Sequence, residues 1–226
     1  MEKFVKLEDP AAPLITMPAY WADACKHLVK KDRVMKRLIP QFANTCLPTR
    51  GDAFSTLARS IVGQQISVKA AQTVWRRFAA LLPEDVTPAQ VLGLKVEDMR
   101  AAGLSPRKVE YLVDLSINFD AGRVHVQDWQ AMGDEAIIAE LIAIRGIGRW
   151  TAEMFLMFYL TRPNVLPLDD AGLINGISRN YFSGESVSRS DAREVAAAWA
   201  PYCSVATWYI WRSLDPLPVP SGLKFS

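Results

Sequence analysis

Two neighbouring carboxylates and a pair of closely spaced glycines are the residues of this chain whose types and spacing best suit chemistry. Asp169 and Asp170 follow Pro167, and Gly146 and Gly148 bracket one residue of a tight turn earlier in the chain. A carboxylate can stabilise a developing positive charge or activate a water molecule. Two glycines in a turn allow positive φ and let a foreign backbone come close. The pattern predicts a carboxylate held near a turn that grips another molecule.

The glycine turn also leads into a helix, because an apolar run extends from Trp150 to Leu160. A helix leaves its first N–H groups without an internal partner, here those of Gly148, Arg149 and Trp150. These amides and the positive end of the helix dipole favour the binding of an anion, such as a phosphate. Such a contact holds a phosphate without recognising a base. The alternative is a plain helical corner whose glycines serve only the turn, since a bare Gly-x-Gly is a weak signal.

The two aspartates have a structural alternative as well. Asp169 can cap the helix that follows, which places Asp170 in its first turn, where the dipole favours a negative charge. Both residues would then serve the helix alone. The anion-binding turn, separated from them by an apolar and aromatic helix, favours a catalytic role for one of them.

Five motifs occur in order along the chain. The hairpin motif GIGRWTAEMF and the aspartate motif LPLDD are accompanied by SIVGQQISVKAA at 60–71, GLSPRKVEYL at 103–112 and WAPYCSVATWYIW at 199–211. Together they resemble the helix-hairpin-helix/GPD superfamily of DNA base-excision glycosylases, and within it the 3-methyladenine DNA glycosylase II, or AlkA, type. The resemblance covers roughly residues 20–215.

The resemblance implies a reaction and the residue that carries it. Asp170, the second aspartate of the LPxDD element, would stabilise the cationic sugar as the N-glycosidic bond breaks, and Asp169 would be structural. Bifunctional relatives place a Schiff-base lysine in the hairpin, where this chain has Trp150. We therefore expect a monofunctional hydrolase without a strand-cleaving step.

The resemblance also implies a pocket for a base that carries positive charge after alkylation, such as 3-methyladenine. Trp150 and Tyr202 lie where the family stacks aromatic rings on the base, although each could instead be a core residue. The chain departs from the family at Met154, where a pocket tyrosine is expected, and at Ala171, where some relatives have an aromatic residue. Both changes would open the pocket or alter its preference among alkylated bases.

The short connection in SIVGQQIS suits the extraction of a base. An enzyme that flips a nucleotide must fill the gap left in the base stack, and a side chain on a stiff turn can do so. By the resemblance the wedge is Gln65, with Gln64 beside it, but the sequence leaves open which glutamine enters. The alternative is a pair of exposed polar turn residues.

The remaining DNA contacts implied by the resemblance lie in the hairpin. We expect them from Gly146, Gly148, Arg149 and Thr151. No metal is required, but a monovalent cation could bind the backbone carbonyls of Ile142, Ile144 and Ile147 and bridge to a phosphate. Basic side chains cluster near the motifs at Lys69, Arg76 and Arg77, at Arg107 and Lys108, and at Arg145 and Arg149. At least two of these clusters are expected to face phosphates, although a solvated helix face is the common alternative.

Periodicity predicts an all-α protein, because no alternating strand pattern occurs. Helical spacing is clearest in Phe54, Leu57, Ala58, Ile61 and Val62, and Asp52, Ser67 and Ser105 are suited to cap helices. We expect one catalytic unit over 1–226, with a middle lobe at 50–145, a second lobe at 1–49 plus 146–226, and the helix-hairpin-helix at about 134–160. The active-site cleft would lie between the two helical lobes. The segment before Tyr20 is too short for the sheet domain of a better-known bacterial relative, so we expect the short form.

Composition excludes several other classes. The 226 residues carry a formal net charge of +2 and three scattered cysteines, which indicate reduced thiols and fit neither a disulfide frame nor zinc spacing. They also exclude the four-cysteine iron–sulfur loop of some relatives. We find no targeting peptide and no membrane-length apolar run. The expectation is a cytoplasmic, nucleoid-associated monomer without a cofactor or an obligate protein partner, acting on double-stranded DNA that contains a damaged base.

Two other functions are also compatible with the sequence. A non-catalytic DNA-binding module would use the hairpin alone and release no base. A glycosylase for another lesion, such as a deaminated, oxidised or mismatched base, would fit the departures at Met154 and Ala171.

Overall fold

The computed structural model describes residues 17–42, 46–47 and 51–215. Over these residues it contains twelve α-helices, one 3-10 helix and no strand, which confirms the all-α prediction. The helices are α1 Trp21–Lys31, α2 Arg33–Leu38, the 3-10 helix Ile39–Phe42, α3 Ala53–Gly63, α4 Val68–Ala79, α5 Pro88–Leu92, α6 Val96–Ala101, α7 Pro106–Asp120, α8 Asp134–Ile142, α9 Arg149–Phe158, α10 Ala171–Tyr181, α11 Arg189–Ala196 and α12 Cys203–Arg212. None of the helices in these ranges has the length and apolar character needed to cross a membrane.

The described residues divide into two compact units. Unit 1 holds residues 51–162, and unit 2 holds residues 17–42, 46–47 and 163–215. The predicted lobe boundary between residues 145 and 146 differs from this division and falls inside unit 1. The reason is that α9 packs against α8 and α3, so both hairpin helices belong to one unit.

Unit 1 is built on α3 and α7, which contact each other and the helices beside them. Asp52 caps α3 by accepting a hydrogen bond from the Ser55 amide at 2.8 Å, as its position predicted. Ser67 and Ser105 cap α4 and α7, and Pro106 occupies the first turn of α7. The predicted inner face of α3 is buried along its length: Phe54, Leu57, Ala58, Ile61 and Val62.

Unit 2 is held together around two buried features. Asp32 caps α2 and also accepts hydrogen bonds from Trp199 Nε1 at 3.1 Å and from the Tyr181 hydroxyl at 2.8 Å. Burial and this carboxylate raise the pKa of Tyr181. The second feature is the contact of α10 with α12, where a Cβ on Gly176 would overlap the side chain of Ile210. This close approach brings the start of α10 to Trp211.

Candidate active site

Asp170 is the N-cap of α10 and is buried, with 6% of its surface exposed. Its Oδ1 accepts a hydrogen bond from the Leu173 amide at 2.6 Å. The prediction that Asp169 caps this helix is therefore wrong by one residue. The Asp170 amide bonds back to the Pro167 carbonyl at 2.9 Å, so the turn ends, and the helix begins, one residue later than expected.

Asp169 is placed differently from its neighbour. Its carboxylate forms an ion pair with Arg189 at 2.5 Å and is nearly half exposed. The two adjacent aspartates thus have separate environments, one buried at a helix N-terminus and one paired near the surface. Of the two, only the buried one is held in a fixed orientation by a main-chain donor at a helix start.

A second donor reaches Asp170 from α12. The Trp211 indole Nε1 donates a hydrogen bond to the same Oδ1 at 2.8 Å, and Trp211 is itself buried. Sequence reasoning missed this residue as part of the site. The available signal was weak: a buried tryptophan in a motif usually finds a partner for its N–H.

A cleft of about 600 Å³ opens beside the start of α10 in unit 2. Its walls include Asp169 and Ala171 but not Asp170, whose side chain is engaged by Leu173 and Trp211. The small side chain of Ala171 therefore adjoins open space. The cleft is lined by Leu168, Asp169, Ala171, Ile174, Asn175, Ser178, Gly184, Glu185, Ser186, Val187 and Arg189.

The hairpin consists of α8, the turn 143–148 and α9, and its two glycines differ. Gly146 has φ +87°, and a Cβ there would overlap the ring of Tyr111. Gly148 has φ −93° and is exposed, and a Cβ added there would meet no atom within 4 Å. Gly146 thus serves the fold of the turn, whereas Gly148 leaves open the approach to the start of α9. No side chain caps α9 among the described residues, which is the condition for an anion site at a helix N-terminus.

The Arg149 side chain is engaged within unit 1. Its Nε donates to Glu153 Oε1 at 3.0 Å, and its Nη1 and Nη2 donate to the two oxygens of Glu135. These carboxylates raise the pKa of Arg149, and the guanidinium lowers the pKa of Glu135. The DNA contact predicted for Arg149 stays a prediction; a contact through its side chain would require a phosphate to displace two carboxylates from the guanidinium.

The other hairpin predictions concern Thr151 and three carbonyls. Thr151 is buried, with 7% of its surface exposed, so its hydroxyl does not present itself openly to a phosphate. The Ile144 carbonyl accepts a hydrogen bond from the Ile147 amide at 3.2 Å, so a cation there would share it. A carbonyl has two lone pairs and can accept twice. The possible cation site at Ile142, Ile144 and Ile147 stays a prediction.

The glutamine turn, residues 64–66 between α3 and α4, contains both candidate wedges, Gln64 and Gln65. Gln65 is exposed and has φ +58°, in the left-handed region. Gln64 is half-buried, and its Nε2 donates to the Gly146 carbonyl at 2.8 Å. The two residues therefore have different environments: Gln64 bonds the turn to the hairpin, and Gln65 is exposed.

The predicted basic clusters are only partly available to a ligand. The Lys108 ammonium donates to the Val62 carbonyl at 2.8 Å, at the end of α3, and burial lowers its pKa. Arg145 pairs with Glu110 at 3.3 Å. The expectation that Lys108 faces a phosphate is thus not supported by its contact. The cluster on α4 is exposed throughout: Lys69, Arg76 and Arg77.

Trp150 lies in the first turn of α9 and is 40% exposed, unlike the fully buried Trp129 and Trp199. An ordinary core tryptophan would be covered, so this exposure favours a surface that receives a ligand. Met154, one turn later, is buried with 8% of its surface exposed. Within unit 1 the exposed aromatic ring, the hairpin turn and the glutamine turn are thus carried by α3 and α9, which contact each other.

Tyr202 belongs to unit 2 and is the residue before α12. Its half-buried ring stacks on Tyr20, with centroids 6.4 Å apart, and meets the edge of His27 at 5.4 Å. These two rings fix its orientation and were not predicted. Unit 2 therefore contains the candidate carboxylate Asp170 together with the second candidate aromatic ring.

Comparison with known proteins gives one family. The model of the HhH-GPD superfamily of base excision DNA repair proteins matches residues 58–201. A curated relative, DNA-3-methyladenine glycosylase 1 of Schizosaccharomyces pombe, is 30% identical over 194 residues, which cover 83% of this chain and 85% of that protein. The matched segment contains Gln65, the hairpin, Asp170 and the loop before Tyr202.

Solved structures agree with this assignment. The crystal structure of a DNA-3-methyladenine glycosidase from Bacillus halodurans has a TM-score of 0.79 and 36% identity, covering 84% of this chain and 88% of that one. The S. pombe 3-methyladenine DNA glycosylase in complex with abasic DNA has a TM-score of 0.76 and 29% identity, covering 84% and 96%. The predicted resemblance is confirmed, and the chain belongs to the HhH-GPD superfamily of base excision DNA repair proteins.

Proposed function

We propose that this protein is a monofunctional DNA glycosylase that flips alkylated purines such as 3-methyladenine out of double-stranded DNA and hydrolyses their N-glycosidic bond. Family membership and the names of the relatives support the reaction class. The single observation that carries the proposal is the buried Asp170 carboxylate, held at a helix N-terminus by Leu173 and Trp211.

The reaction requires few catalytic groups besides this carboxylate. As the bond between sugar and base breaks, the sugar gains positive charge, which a fixed carboxylate stabilises more effectively than mobile water does. The same group can orient the attacking water. A purine alkylated on a ring nitrogen already carries positive charge and leaves readily, so no partner general acid is needed.

The reaction would end with hydrolysis, because the hairpin position that holds a Schiff-base lysine in bifunctional relatives is Trp150 here. The exposed face of this ring is suited to stack on a cationic base. Tyr202, oriented by Tyr20 and His27, is the second ring proposed to do so.

DNA would be held by features of unit 1 that read no sequence. The uncapped start of α9, left open by Gly148, suits a backbone phosphate. Gln65, exposed on its tethered turn, suits the gap left by an extruded nucleotide. The exposed cations of α4, Lys69, Arg76 and Arg77, would add attraction to the duplex.

The test is Asp170→Asn, measured as release of 3-methyladenine from methylated duplex DNA. Excision should fall on the order of 100-fold or more, because electrostatic stabilisation of the developing charge usually contributes most to the rate enhancement, while binding to duplex DNA survives. Asp169→Asn is the matched control, because that carboxylate is partly exposed and is paired with Arg189; this variant should keep most activity. Full activity of Asp170→Asn would refute the assignment.

A glycosylase for another lesion is the second candidate, and one observation favours it. The small side chain of Ala171, the residue after Asp170, adjoins open space, whereas the resemblance implies a larger aromatic residue at this position in some relatives. A panel of duplexes with alkylated, deaminated, oxidised and mismatched bases, scored for abasic sites, separates the two candidates. Binding without release from any duplex would instead indicate a non-catalytic module.

A further inference from the structure

A hydrogen bond between Trp211 and Asp170 joins the end of α12 to the start of α10. The indole Nε1 and the carboxylate Oδ1 are 2.8 Å apart, and the two residues are 4% and 6% exposed. A hydrogen bond to a charged group in a buried environment is stronger than one between neutral groups. The contact is therefore more than incidental packing between two helices.

Two donors converge on one oxygen of this carboxylate. The Leu173 amide lies 2.6 Å from Oδ1, and the Trp211 indole donates to the same atom. An amide at a helix N-terminus holds the oxygen near the helix axis but leaves the carboxylate plane a range of rotation. A second donor from another helix narrows that range, and with it the position of the other oxygen, Oδ2.

Gly172 makes room for this arrangement. A Cβ on Gly172 would lie 3.0 Å from Asp170 Oδ1 and 3.2 Å from Trp211 Cδ1 and Nε1. These separations are tighter than side chains normally tolerate, so the carboxylate or the indole would have to shift. Gly176, four residues later, allows the close contact of α10 with Ile210 of α12. Two glycines spaced one helical turn apart thus bring α12 to the carboxylate.

We propose that Trp211 is a positioning residue for Asp170, and that Gly172 is the glycine that allows its indole to reach the carboxylate. This proposal deepens the function proposed for the site and rests on it. The indole sets the direction in which the carboxylate faces the sugar, and a small error in that direction lowers the rate without lowering DNA affinity.

Trp208 provides a matched control on the same helix. Its Nε1 is buried and has no hydrogen-bond partner within the described residues, and its ring lies under the Arg212 guanidinium at 4.5 Å. Replacing either tryptophan by phenylalanine removes an N–H and keeps an aromatic ring. Only Trp211→Phe removes a bond to Asp170, so a difference between the variants reports that bond rather than aromatic packing.

The first measurement is single-turnover excision of 3-methyladenine, with binding to abasic-site duplex measured in parallel. Trp211→Phe should lower the excision rate on the order of 10-fold or more, as expected for a lost hydrogen bond to a charged group. Affinity for abasic duplex should not change. Trp208→Phe should keep both properties within about 2-fold. Wild-type excision by a folded Trp211→Phe variant would overturn the proposal.

The second measurement tests whether Gly172 acts through the same bond. Gly172→Ala should lower the rate as Trp211→Phe does, and the double variant should fall no further, because both changes remove one interaction. Gly133→Ala is the control, since Gly133 has φ −72° and an added Cβ meets nothing within 4 Å. If the excision rate of the double variant instead fell by the product of the two single losses, Gly172 and Trp211 would not act through the same hydrogen bond.

The third measurement does not depend on activity. In protein labelled with ¹⁵N-tryptophan, the indole resonance of Trp211 should shift in Asp170→Asn, and that of Trp208 should stay unchanged. An unmoved Trp211 resonance overturns the proposal even if Trp211→Phe is inactive through misfolding. If the wild type excises nothing from methylated DNA, the proposed function fails and the positioning role fails with it. If the wild type is active and Trp211→Phe equally so, only the positioning role fails.

Discussion

The side-chain amide of Gln64 donates a hydrogen bond to the main-chain carbonyl of Gly146 over 2.8 Å. This bond ties the glutamine turn to the hairpin turn inside unit 1, although 82 positions separate the two residues in the chain. Lys108 holds the other side of the glutamine turn through the Val62 carbonyl. The turn that carries Gln65 is thus held by hydrogen bonds on two sides, which suits the wedge role proposed for this residue.

Gln65 is expected to lower stability in exchange for activity. It is a non-glycine residue at φ +58°, a conformation that costs about 1–2 kcal/mol for an L-residue but little for glycine. Gln65→Gly should therefore raise the free energy of unfolding in urea by up to about 1 kcal/mol. The same change removes the proposed wedge, so excision from paired DNA should fall.

The control for this prediction is Gln65→Ala, which also removes the wedge but keeps the strained backbone. It should lose excision without gaining stability. Both variants should lose less on single-stranded substrate, where no stack closes behind the extruded base. Equal losses on single- and double-stranded substrate would contradict the wedge role.

The two hairpin glycines should respond differently to alanine. Gly146→Ala combines φ +87° with an overlap on the Tyr111 ring, so it should lower thermal stability by several degrees. Gly148→Ala has an ordinary φ and open space, so it should fold normally. Its added methyl group would nonetheless stand at the start of α9, where we propose that a DNA backbone approaches, and affinity for duplex DNA should fall.

Circular dichroism melts and duplex-binding titrations check both glycine variants. A stable Gly148→Ala protein with wild-type affinity would argue that the start of α9 does not meet DNA. In that case the plain helical corner would be the better description of the hairpin.

Arg149 should contribute little to the salt dependence of DNA binding. Its guanidinium already bonds to Glu135 and Glu153, so releasing it for a phosphate would break three charge-assisted hydrogen bonds. Each cation that contacts a phosphate adds about 1 to the slope of log affinity against log salt. Arg149→Met should therefore leave that slope unchanged.

Binding titrations over a range of salt concentrations test this expectation. The exposed cations of α4 are the comparison, and replacing Arg76 and Arg77 together should reduce the slope if they face phosphates. A reduction of about 1 for Arg149→Met would mean that its carboxylate partners release it when DNA binds.

Local patterns predicted the helices well, because their causes are local. The inner face of α3 follows from apolar spacing, and its start follows from Asp52, whose side chain can reach the Ser55 amide. The same reasoning failed by one residue at α10. Asp169 and Asp170 are equally good caps by type, and the choice depends on where the preceding turn closes.

Side-chain partners from distant positions could not be predicted. The resemblance indicated Gln64 and Gln65 together. They are distinguished only by the positive φ of Gln65 and by the hydrogen bond from Gln64 to the Gly146 carbonyl. Arg149 was predicted as a DNA contact, and that stays a prediction, but the sequence did not indicate that Glu135 on α8 bonds to its guanidinium. Trp211 could not be assigned because its role depends on how closely α10 and α12 approach.

The loop before α8 should show a pH dependence that is unrelated to the active site. Glu140 accepts hydrogen bonds from the His125 amide at 2.9 Å, from its Nδ1 at 2.7 Å and from Trp129 Nε1 at 2.8 Å. The hydrogen bond to Glu140 and its charge, with a smaller effect of Asp128, raise the pKa of His125 above its ordinary value of 6.5. A raised folded-state pKa means that protonation stabilises the folded protein.

This contribution should be fully present below pH 6.5 and should fade as the pH rises through the raised pKa of folded His125. His125→Gln should therefore lose more stability relative to the wild type at pH 5.5 than at pH 8.5, as measured by urea unfolding. The difference should be small, because the imidazole is exposed and screened by solvent. In a Glu140→Gln background the pH dependence of the His125→Gln effect should shrink to the small part that Asp128 contributes, since the Glu140 carboxylate is its main source. An effect of His125→Gln that grows with pH would have the wrong sign and would contradict the assignment.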